Sequence, residues 1–127
     1  MVQNSLPPGE AVTTGSQELA RKAVDIAADS QATDIRLLDM RELKAFADYF
    51  VILTAESNRQ MASILEEMDA GLSGLGVDAH HHEGTPESGW VLLDYGDLII
   101  HVFAPAQRDY FKLERLWAGA KTLIQIQ

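Results

Sequence analysis

The run Tyr49, Phe50, Val51, Ile52, Leu53 constrains this chain more than any other segment. It is continuously apolar and mostly aromatic or β-branched, so it has no polar face to turn to water, as expected of a strand covered on both sides. The rest of the fold must therefore supply a layer above this strand and a layer below it. Upstream, Leu19, Ala23, Ile26 and Ala27 recur at helical spacing behind Ser16, a good N-cap, which predicts a helix from about Gln17 to Ala32. Thr33 and Asp34 break it. Ile35, Leu37 and Leu38 begin an extended segment that ends near Asp39, and residues 40–46 fit either a loop or a helical turn.

Downstream, Ser57 and Gln60 have the spacing of a capping box, and Met61, Ile64, Leu65, Met68, Leu72 and Leu75 follow in a helical stripe closed by Gly74 or Gly76. Val77 to Glu83, Trp90 to Tyr95 and Leu98 to Phe103 read as three strands. A loop with Gly84, Pro86 and Gly89 joins the first two, and a tight Gly96-Asp97 turn makes a hairpin of the last two. Pro105 ends the last strand, and Tyr110, Leu113, Trp117 and Ala120 mark the stripe of a closing helix. The order helix, two strands, helix, three strands, helix predicts an α/β fold with a mixed sheet of about five strands and helices packed on it. At 127 residues and 46% hydrophobic content, the chain has material for one core. The expected domain spans 16–121, with 1–15 as a disordered leader and 122–127 as a C-terminal tail.

Ten Lys and Arg against 19 Asp and Glu give a net charge of -9, the wrong sign for gripping phosphates. Extensive direct RNA contact is therefore not expected, whereas an acidic surface favours encounter with basic proteins. The apolar runs fall far short of the roughly 20 residues that span a bilayer, so a soluble, cytoplasmic protein without membrane contact is expected. The absence of cysteine excludes disulfides and thiolate chemistry.

Metal-dependent nucleotidyl transfer needs paired carboxylates on one strand. The chain has no Asp-any-Asp triplet; Asp94 and Asp97 lie three apart across a predicted turn, where side-chain to backbone hydrogen bonds explain them, and Asp48 opens another strand. His80 and His82 would share a strand face, but neither Glu83 nor His101 is placed by sequence to complete a zinc site. His101 interrupts the apolar face of Ile99, His101 and Phe103 and reads as a hydrogen-bonded, partly buried histidine. No cofactor or metal is expected, and no nucleophile elbow or phosphate-cradling glycine loop is present.

Strand alternation puts Trp90, Leu92 and Asp94 on one face and Val91, Leu93 and Tyr95 on the other. The face of Trp90 then starts beside a Gly-rich loop and ends in a carboxylate, which suits an interface anchor with one indole edge at the surface; a core role is the alternative. From Glu83 to Asp97 the chain carries Glu83, Glu87, Asp94 and Asp97 with no Lys or Arg, an acidic rim around Trp90. The last predicted helix carries Arg108, Lys112, Arg115 and Lys121 against Asp109 and Glu114, so contact between these oppositely charged patches of two copies is also conceivable.

One further set of residues runs through the chain. It comprises Asp34, Ile35, Leu38 and Asp39; Ala47 to Ile52; Ser57, Arg59 and Gln60; Glu83 and Gly84; Trp90 to Asp97; His101 to Phe103; and Arg108, Tyr110, Phe111, Leu113, Glu114, Leu116 and Trp117. In this order the set resembles the Iojap-like ribosomal silencing factors over roughly residues 17–120. Two departures stand out: Thr54-Ala55 where the family usually has Thr-Gly, and Tyr110-Phe111 where it usually has Phe-Tyr. The resemblance implies a fold related to nucleotidyltransferases without the catalytic carboxylates, and a homodimer when free. It also implies binding to ribosomal protein fourteen of the large subunit, at the surface that meets the small subunit, and so repression of translation. The residues expected to contact the partner are Trp90, Asp94, Tyr95, Gly96, Asp97, His101 and Arg108. The alternative is a nucleotidyltransferase-like enzyme or nucleotide-binding protein.

Overall fold

The computed structural model describes residues 15–127, so the leader expected at 1–15 lies, but for Gly15, outside the described residues. Helix α1 (Ser16–Asp29) leads into strand β1 (Thr33–Asp39), a 3-10 turn at Arg41–Leu43 and strand β2 (Tyr49–Thr54). Helix α2 (Asn58–Ser73), the short strand β3 (His81–Glu83), a 3-10 turn at Pro86–Ser88, strand β4 (Trp90–Asp94) and strand β5 (Leu98–Phe103) follow. Two short helices, α3 (Pro105–Phe111) and α4 (Leu113–Leu116), precede strand β6 (Lys121–Ile126).

The strands form one sheet in the order β3-β4-β5-β2-β1-β6. Only β2 and β5 pair in parallel; every other neighbour is antiparallel, so the sheet is mixed, as expected. Strand β2 sits inside and is buried along its whole length. Its alternate residues feed two cores. Tyr49, Val51 and Leu53 join Val91, Leu93, Ile100 and Val102 under α1 and α2. Phe50 and Ile52 join Leu38, Ile99, Phe103 and Leu113 on the opposite face, with Trp90, Leu92 and Trp117 packed at its margin.

The hairpin takes the predicted register. Gly96, at φ 87°, occupies the first place of the two-residue loop between Tyr95 and Leu98, as a type II′ turn requires. Ser57 caps α2 by accepting the Gln60 N–H at 3.1 Å, while the Gln60 side chain reaches back to the Glu56 N–H at 2.6 Å. Ala55, which replaces the usual glycine, is buried and is not among the positive-φ residues, so a methyl group fits there.

The structure differs from the sequence reading at four places. Gly15, not Ser16, is the N-cap of α1, and the helix ends at Asp29 rather than near Ala32. Only His81–Glu83 of the strand expected from Val77 pairs with β4, so the segment before it serves as a connection. The closing helix breaks at Lys112, whose φ of 46° is left-handed; this redirects the chain and separates Tyr110 from the Leu113 stripe. Residues 121–126, expected at the boundary and in the tail, pair with β1 as a sixth strand.

Candidate protein-docking site

The two faces of the sheet are covered unequally. One lies beneath the long helices α1 and α2, while the other receives, among the described residues, α3, α4, the turn through Trp117 and the 40–47 segment. A short roof leaves aromatic side chains at its margins. Rings follow one another across this face from Phe46 to Phe50 at 6.0 Å, Phe50 to His101 at 4.9 Å and His101 to Trp90 at 5.9 Å. The series continues from Trp90 to Phe111 at 4.7 Å and from Phe111 to Tyr110 at 5.0 Å. Its middle is buried and its ends are open: Phe46 is 74% exposed, Tyr110 79% and Phe111 43%, with Leu116 nearby in sequence at 71%. Tyr110 and Phe111 continue from the half-buried Trp90 as one apolar patch, the contiguous kind of exposure that makes a candidate interaction surface.

Trp90 occupies the hinge between buried and open parts. Its indole is half-buried, stacked on Phe103 at 5.1 Å, and its Nε1–H donates to His101 Nδ1 at 3.2 Å. The contact is a cross-strand diagonal, since Trp90 pairs with Phe103 and Leu92 with His101. The outer edge of Trp90 lines a shallow groove of about 240 Å³ with Leu92, Glu83 and Gly84. Gly84 is required there, because a Cβ would collide with the Trp90 carbonyl oxygen at 2.1 Å. The expected alternation thus holds for Trp90, Leu92 and Asp94, and the surface and core readings of Trp90 each describe part of the side chain.

The other residues expected at the interface divide by burial. Asp94 and Gly96 are half-buried and Asp97 is exposed, all at the far end of β4 from Trp90. Asp94 Oδ1 accepts the Gly96 N–H at 2.8 Å, and the Asp97 carbonyl accepts the Asp48 and Tyr49 N–H groups at 2.8 and 3.0 Å. Asp94 therefore shapes the turn through its side chain, as expected of a short acidic residue, whereas Asp97 acts through its backbone carbonyl, which ties the turn to the start of β2. Tyr95 is buried in the other core, where lost hydration and the charges of Asp69 and Asp78 push its hydroxyl up to about 12. His101 is buried, and desolvation pulls its imidazole down to about 4, so it is neutral at physiological pH.

Arg108 is not on the surface. It is 6% exposed; Nη1 donates to the Asp34 carbonyl and to Thr54 Oγ1, both at 2.8 Å, and Nε donates to Glu114 Oε1 at 3.2 Å. Nη2 lies 3.3 Å from Asp34 Oδ2, close enough for an ion pair but outside hydrogen-bonding geometry. This guanidinium ties α3 and α4 to the bulged start of β1, and burial there removes it from the basic patch that the last helix was expected to present. Lys112 and Lys121 are also engaged, with Asp109 and Glu42. Sequence reasoning missed Phe46 at one end of the aromatic series, whose only signal was an apolar residue that fitted no stripe, and it placed Tyr110, at the other end, in the stripe of the closing helix rather than at the surface.

The histidine run lies on the free edge strand β3, where His81 Nε2 meets Glu83 Oε1 at 3.0 Å and all three strand residues are exposed. Antiparallel pairing with β4 puts His81 and Glu83 on the same face as Trp90. That edge of the face is consequently acidic, with Glu83 beside the indole and Asp94 farther along β4 on the same face.

The model of the family "Ribosomal silencing factor during starvation" matches residues 13–127. The chain belongs to that family. A ribosomal silencing factor of Chromobacterium violaceum is 36% identical over 105 residues, 83% of this chain and 86% of the relative. A crystal structure of a protein from the same species superposes with a TM-score of 0.79 at 34% identity, covering 87% of this silencing factor and 94% of that chain. More distant is a Mus musculus protein named for mitochondrial assembly of the ribosomal large subunit, 26% identical over 115 residues, 88% of this chain and 50% of that protein. Silencing factors are by name ribosome-associated and translation-repressing. Among the described residues, no helix is long and apolar enough to cross a membrane.

Proposed function

We propose that this silencing factor docks through the Trp90 face on a basic protein of the large ribosomal subunit and sterically blocks joining of the small subunit. The observation that carries the reading is the half-buried indole at the centre of an incompletely roofed, aromatic sheet face with Glu83 and Asp94 at its edge. Buried aromatic anchors inside a polar rim are the usual composition of an energetic centre, and acidic residues around it suit a basic partner. The mouse relative's name points to the large subunit. The partner implied by the family resemblance is ribosomal protein fourteen of that subunit.

With a net charge of -9, the factor makes little direct contact with RNA, and affinity comes from protein surface. It acts in the cytoplasm by occupying space rather than by catalysis, and the free protein is a homodimer. Cosedimentation with purified subunits tests this. The protein pellets with large subunits alone; pelleting with small subunits instead, or with neither, overturns the proposal.

A further inference from the structure

The contacts that hold Trp90 differ in what they can fix. Stacking on Phe103 and the tilted contact with Phe111 hold the plane of the indole, but dispersion between ring faces tolerates sliding and in-plane rotation. A hydrogen bond does not, because it weakens steeply as its angle departs from linearity. Among the described residues, the Nε1–H to His101 Nδ1 bond is therefore the directional side-chain contact that fixes, within the rotamer well, how far the indole edge projects into the groove beside Leu92 and Glu83.

The same bond determines the proton on His101. An indole N–H can only donate, so Nδ1 must be the unprotonated acceptor and the neutral ring carries its hydrogen on Nε2. Among the described residues Nε2 is buried without a hydrogen-bond partner, in a pocket walled by Phe50, Trp90 and Phe103. Leaving a buried donor unpaired is unfavourable, and an apolar side chain of similar size would avoid it. A site selected for packing alone has no use for this histidine.

We propose that His101 is the positioning residue of the docking face: its Nδ1 lone pair sets the in-plane orientation of Trp90 that the ribosomal partner meets. The inference rests on the reading of Trp90 as a docking anchor. It assigns His101 a role through Trp90 rather than a contact of its own, consistent with its burial.

Two substitutions separate this role from packing. His101→Leu fills the site without an acceptor, and His101→Asn places an amide oxygen near the Nδ1 position. Each is compared with wild type by the urea midpoint, by the affinity of the folded protein for purified large subunits, and by solvent exchange of the Trp90 indole N–H proton. Trp117→Phe identifies which indole signal is which. His101→Leu accelerates exchange of the Trp90 N–H and weakens subunit binding by about fivefold, the worth of one neutral hydrogen bond, while His101→Asn restores both. If His101→Leu leaves indole exchange and affinity at wild-type values while Trp90→Ala weakens binding, the inference is overturned and the docking face stands. Loss of affinity in both His101 variants only in proportion to unfolded protein also overturns it, because it makes the histidine a packing residue. Unchanged affinity in Trp90→Ala removes the docking reading itself, and this inference with it.

Discussion

Replacing Trp90 with alanine separates packing from docking quantitatively. Full burial would make truncation of a tryptophan cost about 3–5 kcal/mol through lost transfer energy and the cavity left behind. Trp90 is only half-buried, and its outer edge opens on a solvent-filled groove, so water enters the vacated space and the cavity contribution is small. The stacks on Phe103 and Phe111 and the bond to His101 are still lost. A loss of about 2 kcal/mol results, which at a urea m-value of about 2 kcal/mol/M moves the midpoint down by about 1 M. Independently, an interface anchor costs about 2 kcal/mol on truncation, raising the dissociation constant for large subunits by about tenfold to thirtyfold. Urea unfolding and subunit binding, measured on one preparation and corrected for folded fraction, give both numbers. A lowered midpoint with unchanged affinity of the folded fraction would refute the docking role, and an unchanged midpoint would refute the packing described for the indole.

Other perturbations report on the scaffold. His101 has its folded-state pKa held at about 4 against 6.5 for the free side chain, so the unfolded chain takes up the proton first as pH falls. Its contribution to stability is complete above about pH 6.5 and is lost progressively towards pH 4, a change of about 3 kcal/mol that should be absent from the urea-unfolding profile of His101→Asn. Arg108→Ala removes the cation from Asp34 and Glu114 and unties α3 and α4 from β1. It should cost about 3 kcal/mol by thermal or urea unfolding, the low end for a broken buried ion pair because Asp34 is partly hydrated; Arg108→Lys should recover only part of this, since an ammonium cannot reproduce the fork. Deleting residues 121–127 removes β6 and leaves β1 as an edge, so amide exchange along β1 should accelerate while β5 stays protected.

How much of this was legible in the sequence depended on the range of the interactions involved. Strand β2, the Gly96-Asp97 hairpin, the cap at Ser57 and the stripe of α2 are local patterns, and each forms where its pattern lies. The alternation of Trp90, Leu92 and Asp94 also needs no more than strand geometry. Strand β6 was missed because its alternation is weak and its stability comes from β1, far back in the chain. Arg108 was misplaced for the same reason: its acceptors at Asp34 and Thr54 lie 74 and 54 residues away, and nothing local marks an arginine for burial. The break at Lys112 puts a non-glycine residue in the left-handed region, which propensity does not anticipate, and it leaves Tyr110 exposed and Phe111 against Trp90.

The central claim is that the Trp90 face excludes the small subunit from the large one. Light scattering during subunit joining tests it most directly: large subunits are incubated with the protein, small subunits are then added, and formation of the joined particle is followed in real time. Wild-type protein should suppress the scattering increase as the large subunit becomes saturated, and Trp90→Ala should require about tenfold to thirtyfold more protein for the same suppression. Normal joining with wild-type protein bound to every large subunit would contradict the account.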